Sequence, residues 1–338
     1  MNYNGKKFLN DCLQSVLFQS FTNFEIIFID NCSTDGSMDF VKQNFNDSRI
    51  RFISLEKNIG FAGGNNLGLK NAEGEYIVLL NNDTVVDTNW LKVLYETIEA
   101  DTKTGAVQSL VLTDGIPLRY YEINGTLNLF GHNIMEVFPI SGNGIGDIFQ
   151  VTGCSLITRK KTIEKIGGLF LDEYFIYAED SFFSFKLKFA GYNILHNSHS
   201  IVNHKGNATT KKFRNNFVTF YQERNRILNF LLFFSNKFLL KYSPLLIFNF
   251  SIKLIYSVLM RKYSFLGILR AYLWFIKNIK WIKLQRKDIA KYKKVEEEEI
   301  IKLLSCKISN GDNFLDKLLN KISLLYCKIT NIKVIELY

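Results

Sequence analysis

Three polar residues, Asn81, Asn82 and Asp83, directly follow an apolar run of strand length, Tyr76–Leu80. An unbroken apolar run of this length is expected for a strand that is covered on both faces of a sheet. A carboxylate at the carboxyl end of a buried parallel strand lies where open α/β sheets bind their ligands. Because the triplet offers only oxygen ligands, it suits a hard cation such as Mg²⁺ or Mn²⁺ that neutralises a diphosphate. The alternative is that this segment forms only a turn and a helix cap.

A second carboxylate, Asp30, ends another predicted strand, Phe24–Ile29, and is followed by the polar turn Asn31–Ser37. Strands and helices alternate at short spacing from there to Leu112. This order predicts a parallel, doubly wound α/β sheet. Since parallel strands end at the same edge of a sheet, we expect Asp30 and Asp83 to face one crevice.

The net charge of +10 on the 338 residues is distributed unevenly. The segment 205–294 contains 20 Lys or Arg and only two acids, Glu223 and Asp288, which gives it +18 and leaves −8 on the remainder. A basic segment that is also rich in aromatic residues indicates an anionic partner surface, either membrane or nucleic acid.

The five cysteines are far apart and contain no C-x-x-C pair. This spacing predicts neither a disulfide framework nor a zinc site, which fits a reducing compartment. Residues 1–30 lack the basic start and apolar core of a signal peptide.

The composition shifts to Phe, Leu, Ile and Lys at about Asn216, so we divide the chain into an α/β domain, 1–215, and a mainly helical, basic region, 216–338. The most apolar run is Tyr242–Met260, but Lys253 interrupts it, and its longest uncharged stretch, of 11 residues, is Tyr242–Ile252. A membrane-spanning helix needs ~20 predominantly apolar residues. This run is therefore not sufficient for us to predict a transmembrane segment.

Between Arg270 and Lys294, aromatic and basic residues fall on opposite sides of a helix, which is the pattern of an interfacial helix with aromatic anchors. The alternative is a helix packed on the sheet domain with a solvated basic face. The residues on the apolar side are Trp274, Phe275, Trp281 and Ile282, and those on the basic side are Lys280, Lys283, Lys287 and Lys291.

Several motifs in register resemble family 2 glycosyltransferases, and within that family the rhamnosyltransferase-like branch. The resemblance covers about Met1 to Ser200. In the first half it rests on Asn2-Tyr3-Asn4-Gly5, the segment Asp30–Ser37, the pattern N-x-G-F-A-G-G-N-N-x-G at Asn58–Gly68, and Leu80–Thr84. In the second half it rests on Val151-Thr152-Gly153, Gly167-Gly168, Asp172-Glu173, Phe175, Tyr177 and Glu179-Asp180.

The resemblance implies a GT-A fold, a nucleotide-sugar donor, a divalent metal (Mg²⁺ or Mn²⁺) and inversion at the anomeric carbon of the sugar. It implies that Asp180 is the general base, with Glu179 beside it, and that Asp83 and His204 hold the metal. The residues that it implies for donor binding are Asn2, Tyr3, Asn4, Asp30, Gly63, Asn65 and Asn82.

The sequence departs from the family pattern at three places. The strand that precedes Asn2 in the family has no counterpart here, so we expect either that the true start lies upstream or that the product is impaired. The triplet Asn81–Asp83 has one acid rather than two. Phe182 and Lys186 stand where the family usually has an acid and an arginine.

The sequence therefore predicts an inverting, metal-dependent glycosyltransferase bound peripherally at the cytoplasmic face of the membrane. It would transfer a sugar, with rhamnose as the first candidate, to a cell-surface glycan or lipid-linked oligosaccharide. The rival hypothesis is a non-catalytic, membrane-associated remnant or scaffold of the same fold. We expect no nucleic-acid partner, because the body of the protein is acidic and contains no recognisable nucleic-acid module.

Overall fold

The computed structural model describes residues 1–113, 116–117, 126–134, 142–205, 215–259, 263–309, 311 and 313–335. The end of the predicted apolar run, Met260, lies outside these residues. The elements before residue 100 are α1 (Lys6–Leu17), β1 (Ile26–Asp30), α2 (Ser37–Asn44), β2 (Ile50–Ser54), α3 (Gly60–Asn71), β3 (Tyr76–Leu80), β4 (Thr84–Val86) and α4 (Trp90–Glu99). The alternating α/β order of this part is confirmed.

The middle of the chain contributes further strands and two α-helices. The strands are β5 (Thr104–Thr113), β6 (Ile116–Pro117), β7 (Thr126–Leu127), β8 (Asn133–Ile134), β9 (Ile145–Asp147), β10 (Ser155–Arg159) and β11 (Asn193–His204). The helices are α5 (Lys160–Lys165) and α6 (Glu179–Phe189), with a 3-10 turn at Asp172–Tyr174 between them.

The remainder is mainly helical, as the sequence predicts. Its helices are α7 (Asn216–Phe233), α8 (Asn236–Leu259), α9 (Phe265–Lys277), α10 (Ile279–Ala290), α11 (Glu297–Ile301) and α12 (Phe314–Thr330).

The strand directions differ from the prediction of a mostly parallel sheet. The strands β3, β10, β5, β11 and β4 lie side by side in that order, and β10 runs antiparallel to both of its neighbours. β5 and β11 are parallel, whereas β4 is antiparallel to β11. The sheet is therefore mixed, because β10 enters between β3 and β5 from the long excursion that follows β5.

A gap separates β1 from β3. β1 pairs in parallel with β2 in a separate two-stranded sheet, and among the described strands only β10 pairs with β3. An apolar cavity of about 720 Å³ lies between them and is lined by residues of both strands and by Met1. Asn2 forms a single parallel bridge to Asp30 at the end of β1. A chain segment that runs into Asn2 alongside β1 would therefore enter this gap.

The helical region and the α/β domain share one hydrophobic cluster. Phe233 of α7 stacks on Phe185 and Phe189 of α6, with ring centroids 5.3 and 5.5 Å apart. The cluster thus extends across residue 215, and the division of the chain there stays a prediction.

The predicted aromatic anchors face the protein. Trp274, Phe275 and Trp281 pack against the shared cluster, and Ile282 is buried within it. Their helix is also broken at Asn278, between α9 and α10. The interfacial-anchor interpretation of these four residues is therefore wrong, and the alternative of a packed helix with an exposed basic face describes them.

Among the described helices, α8 is long and apolar enough to cross a membrane by length and composition, with 28% of its most apolar window buried inside the protein. A buried helix of a soluble protein passes the same test. Lys253, which interrupts the apolar run, points inward and is 6% exposed.

Candidate active site

A cleft of about 860 Å³ opens where the predicted site residues converge. Asn81, Asn82 and Asp83 enter it from the end of β3, and Glu179 and Asp180 enter it from the start of α6. The structure thus places Asp83 in the same cleft as the pair Glu179 and Asp180, which lies about a hundred positions further along the chain.

The predicted donor-binding residues near the N-terminus fall into two layers. Tyr3 and Asn4 line the cleft, whereas Asn2 is fully buried behind them. The side-chain amide of Asn2 donates to Asp30 Oδ1 over 2.8 Å, and its Oδ1 accepts a bond of 2.6 Å from Asn82. Asp30 is 3% exposed and accepts a second bond from the backbone of Ser33. Asn2 and Asp30 therefore hold the cleft wall in place rather than form its surface.

Two predicted donor-binding residues, Gly63 and Asn65, lie on α3 and do not line the cleft. The Asn65 side chain donates instead to the backbone oxygen of Phe61. The residues of this segment that do line it are Asn58, Gly60 and Phe61.

Gly60 explains part of the glycine-rich pattern. Its φ is +78°, and a Cβ there would lie 2.4 Å from the backbone oxygen of Phe175. Only glycine permits both this backbone conformation and this close approach. The pattern therefore brings the glycine-rich segment against the loop that precedes Glu179.

The two residues that the resemblance implies for the metal, Asp83 and His204, contact each other, and of the two only Asp83 lines the cleft. Asp83 Oδ1 lies 3.0 Å from His204 Nε2, and both side chains are about one-fifth exposed. No group of three or more His, Cys, Asp or Glu side chains that could hold a metal occurs in the described part of the chain. A carboxylate with one imidazole suits a divalent cation whose remaining ligands are diphosphate oxygens and water.

Glu179 and Asp180 form a close carboxylate pair at the N-terminus of α6. Burial, together with the neighbouring Asp180, raises the pKa of Glu179, and Glu179 Oε2 has no hydrogen-bond partner in the described structure. Burial also raises the pKa of Asp180, but backbone N–H groups of Ser181 and Gly153 that donate to its carboxylate oppose this rise. The pKa of both carboxyl groups is therefore raised, to about 8 for Glu179, while the backbone donors favour the charged form of Asp180.

The loop before this pair has an unusual backbone. Phe175, Tyr177 and Ala178 all have positive φ, at 59°, 72° and 59°. Such conformations are uncommon for residues other than glycine and cost of order 1–3 kcal/mol each. They persist only where the surrounding structure fixes them.

Three side chains of α7 fix this loop, and the sequence analysis did not identify them. The Asn225 amide contacts the backbone oxygens of Tyr174, Ile176 and Tyr177 at 2.9, 2.9 and 2.7 Å. Asn229 donates to the oxygen of Ala178, and Arg224 donates to that of Glu173. The available signal was a set of polar residues among the apolar ones of this helix, and Arg224, Asn225 and Asn229 are all buried.

The two residues near the carboxylates that differ from the family pattern, Phe182 and Lys186, lie away from the cleft. Phe182 is 1% exposed and packs on Tyr174 and Phe233. Lys186 donates to the backbone oxygen of Gly168, and burial lowers its pKa to about 7. Neither residue lines the cleft, so these departures affect the core rather than the surface that meets a ligand.

The arrangement of the strands and helices is that of the GT-A fold, and solved structures share it. GalNAc-T7, crystallised with UDP, GalNAc and Mn²⁺, is 15% identical with a TM-score of 0.58 over 80% of this chain and 55% of that one. Staphylococcus aureus TarS 1–349 in complex with UDP is 19% identical with a TM-score of 0.53 over 98% of this chain and 88% of that one.

Residues 1–166 match the model of glycosyl transferase family 2. The putative teichuronic acid biosynthesis glycosyltransferase TuaG of Bacillus subtilis is 36% identical over 126 residues, which are 35% of this chain and 48% of TuaG. The chain spans less than half the length of the first curated relatives that it matches.

Proposed function

We propose that this protein transfers a sugar from a nucleotide-sugar donor to a hydroxyl group of a cell-envelope glycan or lipid-linked acceptor, with inversion. The observation that carries this proposal is the convergence of Asp83 and the Glu179–Asp180 pair in one cleft. The family match and the cell-envelope role in the name of TuaG support the class of reaction and of acceptor. Rhamnose remains the first candidate for the sugar, and only the resemblance of the motifs to the rhamnosyltransferase-like branch supports it.

The reaction is a single displacement. The acceptor oxygen forms a bond to the anomeric carbon while the bond from that carbon to the donor diphosphate breaks. Asp180, whose carboxylate accepts backbone hydrogen bonds from Ser181 and Gly153, takes the proton of the acceptor hydroxyl as a general base. Glu179 lies beside it in the cleft, and burial together with Asp180 raises the pKa of Glu179 to about 8, which favours a neutral Glu179 next to the incoming donor.

The nucleoside end of the donor would lie against Tyr3, Asn4, Asn31 and Asn58, which line the cleft near the end of β1. The diphosphate would then reach Asp83. A divalent cation held there by Asp83 and His204 would offset the charge of the departing diphosphate. The Mn²⁺ and UDP named for GalNAc-T7 support both assignments.

The test is transfer measured with candidate nucleotide sugars and Mg²⁺ or Mn²⁺. Asp180→Asn is expected to lower kcat by ~10²–10⁴-fold, the usual contribution of a general base. Asp83→Ala and chelation of the metal are each expected to abolish transfer. Glu173→Gln is the matched control, because Glu173 is an exposed acid of the same region outside the cleft.

Full activity of Asp180→Asn would remove that residue from the mechanism and direct attention to Glu179. A wild-type protein that binds a nucleotide sugar but never turns it over would favour the rival hypothesis, a non-catalytic remnant. The intact grouping of carboxylates in the cleft favours the enzyme.

A further inference from the structure

One group of charged residues in the cleft wall takes no part in the mechanism above. We call Glu223, Arg226 and Lys253 the basic triad. All three line the same cleft as Asp180, and their side chains are less than one-tenth exposed. Arg226 and Lys253 both lie 2.5 Å from the same carboxylate oxygen of Glu223.

The triad carries two positive charges and one negative charge. Burial favours the neutral form of Glu223, but Arg226 and Lys253 outweigh it and hold the pKa of Glu223 at about 2. Burial and the charge of Arg226 lower the pKa of Lys253 to about 8, so Lys253 stays mainly protonated at pH 7. The two cations have further contacts in the described structure: the backbone oxygen of Phe130 for Arg226, and His132 and the Tyr263 ring for Lys253.

A buried excess of one positive charge is costly unless another group compensates it. Among the described residues that line the cleft, the remaining acids are Asp83, Glu179 and Asp180, which already serve the reaction centre. Within the described residues, the triad therefore presents one more positive charge than negative charge to whatever occupies this part of the cleft. Arg with Lys is the pairing that proteins use to bind phosphate groups.

The position of the triad identifies the bound molecule as the acceptor. Its residues belong to α7 and α8, whereas the nucleotide end of the cleft is built from the ends of β1 and the glycine-rich segment. The side of α8 opposite Lys253 is apolar and exposed, with Leu240 and Ile247 at 76% and 64%. A phosphate at the triad would thus lie on the helix whose outer side suits an apolar chain.

On the basis of the proposed transferase function, we propose that Arg226 and Lys253 bind a phosphate group of the acceptor and so select phosphate-bearing acceptors over neutral glycans. The phosphate is that of a polyprenyl lipid carrier or of a soluble polyol-phosphate chain, which present the same group to the triad.

The test is the Kd of inorganic phosphate for the full chain, measured by phosphorus NMR in EDTA, so that no metal recruits phosphate to Asp83. Lys253→Met is expected to weaken binding about tenfold, as the loss of one charged contact would. Glu223→Gln is expected to tighten it, because the variant removes the competing carboxylate. Lys241→Met, an exposed lysine on the same helix, is the matched control and is expected to bind as the wild type does.

The Glu223→Gln variant separates ligand binding from a purely structural triad. A structural role predicts lower stability and no gain in affinity, and that result would overturn the proposal. Equal affinity in the wild type and a folded Lys253→Met variant would overturn it too. Should Lys253→Met fail to fold, Lys253→Arg, which keeps the charge, is expected to bind phosphate within a fewfold of the wild type, and loss of binding there would count against the triad.

Competition then identifies the source of the phosphate. Displacement of inorganic phosphate by polyprenyl phosphate in phosphatidylcholine vesicles supports a lipid carrier, and displacement by a glycerol-phosphate oligomer supports a soluble chain. Displacement by UDP alone would assign the phosphate to the donor and overturn the acceptor assignment. These binding results stand apart from turnover, so a failure of the proposed transferase activity would be seen separately, as absence of transfer in the wild type.

Discussion

At the scale of single residues, the two adjacent carboxylates differ in their surroundings. Asp180 accepts backbone hydrogen bonds that favour its charged form, whereas Glu179 Oε2 lacks a partner among the described residues. Burial raises the pKa of both carboxyl groups, and that of Glu179 rises to about 8.

We predict that Glu179 makes the protein less stable as the pH rises from about 4.5 to about 8. Burial and Asp180 raise the pKa of Glu179 to about 8, so in this range the folded state holds a proton that the unfolded state has released. Stability falls with pH wherever the folded state binds more protons, by ~1.4 kcal/mol for each pKa unit as an upper bound. Glu179→Gln is expected to remove this slope, measured by urea unfolding across the pH range.

In a comparison of the variant with the wild type, the contributions of other titrating groups to the pH dependence of stability cancel. His196 is one of these, because burial lowers its pKa to about 4. Exposed Glu173→Gln serves as the control and should leave the slope unchanged. Parallel curves for Glu179→Gln and the wild type would show that Glu179 is ionised in the folded protein.

Some residues of the cleft could be predicted from the sequence because they stand directly after an apolar run of strand length. Asp83 follows a buried strand, and a carboxylate in that position predictably reaches the crevice. Asp30 meets the same criterion, yet it is buried, because Asn2 and Ser33 occupy its oxygens. No local pattern reports that occupation, and none distinguishes Gly60, which faces the cleft, from Gly63, which does not.

At the scale of elements, three residues of α7 that do not line the cleft, Arg224, Asn225 and Asn229, hold the loop before the carboxylate pair. Asn225 holds three backbone oxygens of a loop with three positive φ angles. We predict that Asn225→Ala lets this loop relax and displaces Asp180. A misplacement of about 1 Å can cost ~10²-fold in rate, so kcat is expected to fall by this order.

The KM for the donor is expected to stay near its wild-type value in Asn225→Ala, because the donor-binding residues lie elsewhere in the cleft. Asn229→Ala, which removes one contact to a loop backbone oxygen rather than three, together with the bond from the Tyr174 hydroxyl, should lower kcat less. A rise in KM at constant kcat would show that Asn225 serves donor binding instead.

The gap between β1 and β3 is a second feature of this scale. We predict that an apolar strand of about five residues placed before Met1 will raise Tm, because it would pair with the free edges of both strands. Each kcal/mol gained corresponds to about 2–4 °C in a protein somewhat smaller than this one. Thermal unfolding measures the effect.

A glycine–serine extension of the same length is the control for this experiment and should leave Tm unchanged. An equal Tm for the apolar and glycine–serine extensions would mean that the gap closes in solution without a strand.

The gap itself was foreseeable only through the family resemblance. Hydrophobic periodicity locates strands that are present in a sequence but does not indicate which strands must be neighbours, and for the same reason the antiparallel insertion of β10 was not predicted.

At the scale of the whole molecule, the exposed apolar side chains of the described C-terminal helices are not the four, Trp274, Phe275, Trp281 and Ile282, that the sequence indicated. Large apolar side chains are exposed on α8, α9 and α12, including Leu240, Ile276 and Ile329. Periodicity showed an apolar side on α10 but not that this side packs inward on the α/β domain. The basic side chains Lys280, Lys283 and Lys287 of α10 are exposed, as predicted.

We predict that this combination of exposed cations and exposed apolar side chains attaches the protein peripherally to an anionic membrane. Each basic residue near such a surface contributes ~1 kcal/mol. The attraction is screened as the Debye length falls from ~10 Å at 0.1 M salt to ~3 Å at 1 M. Flotation with anionic liposomes is therefore expected to be strong at low salt and weak at high salt.

Two variants separate the electrostatic and apolar contributions to this attachment. Replacing Lys280, Lys283 and Lys287 with Gln should remove the salt-sensitive part of flotation, whereas Trp281→Ala should not act through the membrane, because that ring packs inside the protein. Leu240→Asp and Ile247→Asp should weaken the part that remains at high salt, since they place charge on the exposed side of α8.

Binding that resists both salt and alkaline carbonate would mean instead that α8 inserts across the bilayer. Lys253 would then have to keep its inward pairing with Glu223 at membrane depth. Absence of flotation under all conditions would assign the exposed apolar helices to a protein partner.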